Sequence, residues 1–159
     1  MARHQILYLD GANQINPLQI AHFARKCQQE PSFFNKLIRV SRAFTCFQLT
    51  ELIRRAPKFL EKFSAQVVVI TALPDLYFDE DVKEPEARAA FERALEALQH
   101  PALRQLSVVV FSDAASIPTN RKTFFQRLVA QADRVVRIAA QPDATFTFTC
   151  EKAKPELLI

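Results

Sequence analysis

Three aspartates, Asp10, Asp75 and Asp113, lie at or shortly after the ends of apolar segments that are typical of buried strands. If those strands are parallel, their carboxyl ends meet at one edge of a sheet, where open α/β folds place their ligand sites. Carboxylate oxygens are the ligands that Mg²⁺ and Mn²⁺ prefer. The pattern therefore suggests a divalent-metal site, with Mg²⁺ as the cofactor it would hold. The alternative is a structural role without any cofactor, because aspartate is common in the tight turns that follow strands.

A second candidate site is the polar segment Asn120, Arg121 and Lys122, which directly precedes an amphipathic helix pattern. Cationic side chains and backbone N–H groups at the start of a helix can bind phosphate. The net charge of +4 permits a nucleic-acid partner without requiring one. We expect any DNA binding to be weak, non-specific and steeply dependent on salt. The alternative is that these side chains are ordinary solvated charges.

Alternating strand and helix patterns predict the elements that position these residues. Strands are predicted over Gln5–Asp10, Leu37–Val40, Gln66–Thr71, Leu106–Phe111, Arg134–Ala139 and Thr145–Cys150. Helices are predicted over Pro17–Gln29, Cys46–Arg55, Glu86–Gln99 and Thr123–Ala132, with Pro31 ending the first and Pro57 interrupting the second. This order predicts an α/β fold, a mostly parallel sheet with helices on both faces. We expect one domain over residues 1–151 and a loosely held tail over residues 152–159.

Glycine is almost absent from the chain. Gly11 is the only glycine in 159 residues, where an average domain of this length has about eleven. A loop that binds phosphate through backbone N–H groups needs glycine, because side chains forbid the required φ/ψ regions. Neither GxxxxGKS/T nor GxGxxG can be formed with a single glycine. The chain thus combines the element pattern of a nucleotide-binding protein with the lack of a nucleotide-binding loop.

Three segments in order resemble the RecA/RadA recombinase superfamily: ILYLDGANQINPLQIAHFARK, IRVSRAFTCFQLTELI and VVVITALPDLYFDEDV. The second is the most specific, because the family often has an Arg-Ala-Phe signature and a nearby glutamine at this strand-to-helix junction. Arg42, Ala43, Phe44 and Gln48 occupy those positions here. The resemblance covers about Gln5 to Ala139 and implies a RecA-like core of the P-loop NTPase type.

The departures from the family concern its ATPase residues. Only four residues precede Gln5, so the P-loop unit (the Walker A motif) is expected to be absent. Ala12 stands where the resemblance places the catalytic glutamate, and Thr71 stands where it places the Walker B aspartate. Each missing group positions or stabilises the transferred phosphoryl. The resemblance therefore implies a core that neither binds ATP tightly nor hydrolyses it.

Two classes of function follow from these observations. The first is a degenerate RecA-like module that acts in DNA recombination or repair by binding a protein or, weakly, nucleic acid. Its partner would be a second copy of the chain or a larger RecA-like protein, and the missing P-loop half could be a separate polypeptide. The second is a metal-dependent nuclease, because Asp10-Gly11 and Ser112-Asp113 faintly resemble PIN-like nucleases, which activate water at clustered acids.

A core without its P-loop strand and helix should leave apolar surface uncovered. Monomers rarely expose large apolar patches, so we expect a homodimer or a protein partner over this region. Ile6, Tyr8, Val68 and Ile70 are candidate strand positions near it.

Composition adds three expectations about the setting of the protein. Cys27, Cys46 and Cys150 are odd in number and lack CxxC spacing, so free thiols in a reducing compartment are expected. No apolar run is long enough for a membrane span, and the first residues do not resemble a secretory signal. A cytoplasmic protein without membrane contact is therefore predicted.

Overall fold

The computed structural model describes residues 4–154, which form two compact units, one ending at Arg121 and the other beginning at Lys122. The strands of the first unit are β1 Ile6–Asp10, β2 Ile38–Arg42, β3 Val67–Thr71 and β4 Ser107–Phe111. Its helices are α1 Pro17–Lys26, α2 Pro31–Leu37, α3 Cys46–Lys62, α4 Glu84–Leu98 and α5 Pro101–Arg104, with a short 3₁₀ helix over Asp75–Phe78. The predicted tail, residues 152–159, lies outside the described residues from position 155 onward.

The four strands of the first unit form an all-parallel sheet in the order β2-β1-β3-β4. β1 is central and pairs with β2 and β3, so that Asp10 is in register with Arg42 on one side and Thr71 on the other. Phe111 of β4 is in register with Thr71 and completes the same row. Helices flank the sheet, so the prediction of an α/β fold with a parallel sheet is confirmed.

One face of this sheet forms the core. Leu7 and Leu9 of β1 and Val68 and Ile70 of β3 are at most 2% exposed. α3 packs against β1 and against α4, so this is the face that α3 covers with α4 beside it. Continuous apolar strands are typical of a parallel sheet that is covered on both faces.

The second face is covered incompletely. α1, α2 and β2 line a shallow cleft on this face, which includes Ile20, Asn35 and Val40. From Val40 in this cleft, a row that continues with Tyr8, Val69 and Val109 runs across all four strands. Val109 is 39% exposed and Phe111 is 49% exposed. We call Val40, Tyr8, Val69, Val109 and Phe111 the bare face.

Proline has two effects that the sequence patterns did not predict. The prediction that Pro31 ends the first helix is wrong, because α1 already ends at Lys26 and not at Gln29. Pro31 instead occupies the first turn of α2, where its missing N–H is harmless. Pro57 was expected to interrupt the second helix, and this is wrong: α3 continues through it to Lys62. The buried side chains Leu49, Ile53 and Ala56 hold this helix in the core, which offsets the hydrogen bond that Pro57 cannot donate.

The second unit contains α6 Lys122–Gln131, β5 Arg134–Ala140 and β6 Phe146–Ala153. β5 and β6 pair antiparallel as a separate sheet of two strands, with a register shift between Val135 and Val136. The predicted strand Thr145–Cys150 is therefore part of a hairpin that extends to Ala153. This hairpin does not join the parallel sheet within residues 4–154.

The backbone closes tightly around Gly11. A Cβ atom at this position would lie 2.5 Å from the Thr71 carbonyl oxygen and 3.3 Å from a methyl carbon of Leu49. The first neighbour is backbone of the central sheet and cannot turn aside. We expect Gly11→Ala to lower the free energy of unfolding by about 2 kcal/mol, as overpacking of a core does. Urea denaturation tests this, with Ala12→Ser as the control, and an unchanged midpoint for Gly11→Ala would contradict it.

Candidate functional site

Asp10 lies at the carboxyl edge of the sheet, where hydrogen bonds and an ion pair hold its side chain. It is fully buried, and its carboxylate accepts hydrogen bonds from the backbone N–H groups of Gln14 at 3.1 Å and Ile15 at 3.2 Å. Thr71 donates its hydroxyl to the same carboxylate at 3.3 Å. Nε of Arg42 lies 3.4 Å from one carboxylate oxygen as an ion pair. The parallel register brings these groups together, because it places Arg42 and Thr71 on the two strands beside Asp10.

The Arg-Ala-Phe signature and its glutamine have structural roles at this junction. Arg42 binds Asp10 and donates to the Ile15 carbonyl at 3.1 Å. Ala43 is fully buried. The Gln48 side chain accepts from the backbone N–H of Phe44 at 2.8 Å, and the backbone N–H of Gln48 donates to the Thr45 hydroxyl, which caps α3. Only the Phe44 side chain has no such role, since it is 64% exposed.

Asp75 and Asp113 lie at a second position along the sheet edge. Asp75 accepts from the Ser112 hydroxyl at 2.5 Å and from the backbone N–H of Asp113 at 2.8 Å. Ser112 in turn accepts from the backbone N–H of Ala114 at 3.0 Å. Asp75 thus closes the turn after β4, and the backbone of Asp113 is its partner while the Asp113 side chain has no part in these bonds.

The three predicted metal ligands are not gathered into one site. No cluster of three or more His, Cys, Asp or Glu side chains that could hold a metal ion occurs among residues 4–154. Asp75 meets Asp113, whereas the partners of Asp10 are Arg42, Thr71 and backbone N–H groups. A cation beside Arg42 would be repelled by the guanidinium. The metal site, and the PIN-like nuclease that depends on it, stay predictions without a supporting arrangement of ligands.

Arg121 points into the first unit. It is 8% exposed, and its guanidinium donates to the carbonyl oxygens of Tyr77 at 3.0 Å, Asp79 at 2.8 Å and Val82 at 2.6 Å. Those carbonyls belong to the acidic loop after β3, so Arg121 clamps this loop. Asn120 and Lys122 are exposed. Arg121 is one of the three residues predicted to contact phosphate. Its guanidinium is instead engaged in hydrogen bonds within the chain, and these compete with nucleic-acid binding.

A buried network of hydroxyl groups connects α3, the 3₁₀ helix over Asp75–Phe78 and α4. Thr50 on α3 lies 2.7 Å from the Tyr77 hydroxyl and 3.2 Å from the Ala90 carbonyl oxygen on α4. It also donates to the Cys46 carbonyl at 2.8 Å. The Tyr77 ring packs edge-on against Phe91, with ring centres 5.3 Å apart. Desolvation by burial is the main cause that raises the pKa of the Tyr77 phenol far above its ordinary value of 10.0.

This shift predicts a loss of stability in alkali. Because folding raises the pKa of Tyr77, its contribution is complete below the unfolded-state pKa of about 10 and is lost as the pH rises above it. We expect the urea midpoint to fall with pH in that range and the fall to be shallower for Tyr77→Phe. The pKa of Tyr8 is also raised, by burial and by the charge of Asp10. Tyr8→Phe is therefore the matched variant for comparison. An identical pH profile for Tyr77→Phe and the wild type would refute the role of Tyr77.

Compared with protein-family models and with curated proteins, the chain matches none. The kinship with RecA/RadA thus stays a prediction that rests on the three segments. Among the described residues, no helix is long and apolar enough to cross a membrane.

The surface that sequence patterns located least well is the bare face. Ile6 and Tyr8 do lie on that face of the sheet, but Val68 and Ile70 are core residues on the other. Val109 and Phe111 were not predicted as surface residues, because LSVVVF has the composition of a fully buried strand. Only the position of β4 at the edge of the sheet distinguishes it from β3.

Proposed function

We propose that this chain is a degenerate RecA-like module that does not hydrolyse ATP and acts by binding a protein partner over its bare face. The observation that carries the proposal is the exposure of Val109 at 39% and Phe111 at 49% on an all-parallel sheet. Such sheets are covered on both faces in nearly all α/β proteins. A partner that covers β4 would complete the layer.

Covering this face contributes to the free energy of binding, and the apolar surface of the partner must supply the rest. Burying an apolar side chain completely contributes about 1.5–3 kcal/mol, so the half-exposed Val40, Val109 and Phe111 have about 3 kcal/mol left together. The row is apolar apart from the Tyr8 hydroxyl, and Arg42 and Asp10, which are charged residues of the same sheet face, form an ion pair with each other at 3.4 Å. The partner surface is therefore expected to be apolar rather than acidic or phosphorylated.

The lack of ATP chemistry is supported by the edge where a nucleotide would bind. A doubly wound sheet holds its ligand where neighbouring loops diverge at the carboxyl ends of the central strands, here β1 and β3. At that point Asp10 and Thr71 bond to each other and to the loop 11–15. The backbone of Gly11 packs against the Thr71 carbonyl, where an added Cβ would lie 2.5 Å from the oxygen, so this turn is closed by contacts within the chain. Calorimetry with ATP and Mg²⁺ should show no binding in the micromolar range.

Site-specific photo-crosslinking tests the binding face. A photoreactive phenylalanine analogue placed at position 109 or 111 in the native host should form a covalent adduct with a distinct protein. The control is position 18, since Leu18 is 76% exposed on α1 and outside the bare face. No adduct from 109 and 111, or the same adducts from 18, would refute binding through this face.

The identity of the adduct tests the biological setting separately. A RecA-type ATPase or another recombination protein would support the proposed setting in DNA recombination or repair. A specific partner of a different class would refute that setting and leave the binding face in place.

A further inference from the structure

The cleft between α1, α2 and β2 has an apolar end and a cationic end. Ile38, Val40 and Arg42 alternate along β2, so their side chains lie on one face of the sheet and form the floor of the cleft. Four residues of extended chain span about 13 Å, so the guanidinium stands at one end of a floor of that length. Ile20 of α1 and Asn35 of α2 line the cleft above this floor. We call it the β2 cleft.

The β2 cleft has the size and the lining of a small-molecule site. Its volume is about 450 Å³, within the range of about 300–1,000 Å³ that is typical of ligand sites. Ile15 and Pro17 add apolar surface to that of Ile20 and the floor. Every residue that lines the cleft belongs to the first unit, so its geometry is set within that unit.

Arg42 is held in place while part of its guanidinium stays unused. Nε forms the ion pair with Asp10, and Nη2 donates to the Ile15 carbonyl oxygen. Within residues 4–154, Nη1 has no hydrogen-bond partner. Asp10 is fully buried, so a molecule from solvent reaches the N–H groups of Arg42 and not that carboxylate. A guanidinium that is already fixed loses little conformational freedom when it binds an anion.

The polar groups of the lining define what the cleft can recognise. Arg42 carries its only charge, and a guanidinium binds planar carboxylates well because its N–H groups form a matching fork. Asn35 is exposed, and its amide has no hydrogen-bond partner in the described part of the chain. An amide both donates and accepts, so it can bind a further polar atom without adding charge.

We infer that the β2 cleft binds a small monocarboxylic acid with an apolar body. Nη1 of Arg42 donates to the carboxylate, and Ile20, Ile38 and Val40 contact the apolar body. Asp10 offsets the charge of Arg42, so the site suits a single negative charge rather than the two of a phosphate group. The inference is independent of the proposed protein contact. A molecule of so few atoms binds an open cleft weakly, and we expect a Kd of about 1 mM for octanoate.

Amide NMR of the isotope-labelled full chain, titrated with sodium octanoate, locates the binding. Saturable shifts should appear at Ile20, Asn35 and Val40. Val109 and Phe111 are exposed apolar residues of β4 outside the cleft, and their shifts should stay constant. The absence of shifts would overturn the inference. So would shifts that do not saturate or that are equally large at Val109 and Phe111, because these indicate adsorption to apolar surface.

A change of head group on the same probe tests the role of the charge in the wild-type protein. Octanol and octylammonium have the apolar body of octanoate without its carboxylate. Because the carboxylate forms charge-assisted hydrogen bonds with Arg42, we expect octanoate to bind about fivefold more tightly than octanol. Octylammonium should bind more weakly than octanol, since Arg42 repels it. Equal affinities for the three probes would overturn the inference.

Substitution of Arg42 tests the assignment of the anchor. Arg42→Gln should weaken octanoate binding about tenfold and leave octanol binding unchanged. Arg39→Gln is the matched control, because it removes the same charge from the same strand on the other face, where Arg39 lies over the Phe63 ring. Equal losses for the two variants, or none for Arg42→Gln, would overturn the inference. If Arg42→Gln does not fold, the head-group comparison still decides, since it needs no substitution.

Discussion

Replacing Arg121 with alanine should lower the free energy of unfolding by about 3 kcal/mol. The substitution removes a cation that donates to the carbonyl oxygens of Tyr77, Asp79 and Val82. Those carbonyls belong to the segment after β3, and the hydrogen bond to the Tyr77 carbonyl is buried. A buried acceptor left without a donor loses its full desolvation energy. Chemical denaturation measures the effect directly.

Two variants make the Arg121 experiment decisive. Lys122→Ala removes the neighbouring exposed charge and should change stability by less than about 0.5 kcal/mol. Arg121→Lys retains the charge but cannot reach the same carbonyls as a planar fork, so it should recover only part of the loss. If Arg121→Ala is as stable as the wild type and instead loses binding to single-stranded DNA, the residue contacts phosphate and our structural assignment is wrong.

Asp10→Ala should be at least as costly, with a loss of about 3–4 kcal/mol. The substitution leaves the backbone N–H groups of Gln14 and Ile15 without their acceptor. It also leaves the Arg42 guanidinium without the carboxylate that neutralises it. All these groups meet at the carboxyl end of β1, so the loss should be felt in the whole parallel sheet. The denaturation midpoint, followed by circular dichroism, is the measurement.

The controls for Asp10 separate the buried carboxylate from its surroundings. Arg42→Ala should cost only about 1 kcal/mol, because the Arg42 side chain is 44% exposed and water can replace part of its contact. Asp113→Ala removes an exposed carboxylate that has no part in the Asp75 bonds and should have little effect on stability. Equal losses for Asp10→Ala and Asp113→Ala would contradict a special role for Asp10. Stabilisation by Mg²⁺ that Asp10→Ala abolishes would instead support the metal site.

The core of the fold follows from local patterns. QVVVIT is β-branched and continuous, which is enough to identify β3, and the predicted start of the second helix at Cys46 is confirmed. Pro57 shows the limit of such patterns: a local rule predicts a break there, and packing of Ile53 and Ala56 in the core overrides it. The hairpin shows another limit, since the alternation in β6 predicts a strand but does not identify its neighbour.

The candidate site was less predictable, because burial and register are long-range properties. The sequence places Asp10 and Arg42 thirty-two positions apart, and only the pairing of β1 with β2 brings them into contact. Arg121 reads as a solvated charge at a helix start, yet its three acceptors lie 39 to 44 residues earlier. The strand order also decides which of two similar strands is exposed, and nothing in LSVVVF encodes that order.

The central place of β1 also matters while the chain is being made. Ile6 pairs with Ile38 on one side and with Val67 on the other, so its second neighbour leaves the ribosome some sixty residues after it. Synthesis at about 5–20 residues per second makes that interval several seconds. Throughout it Leu7 and Leu9 have no completed layer to enter, although both are fully enclosed at the end. A nascent chain stalled before β3 should therefore expose apolar surface and bind a chaperone. A chain stalled after α4 should already have β1 paired with both of its neighbours.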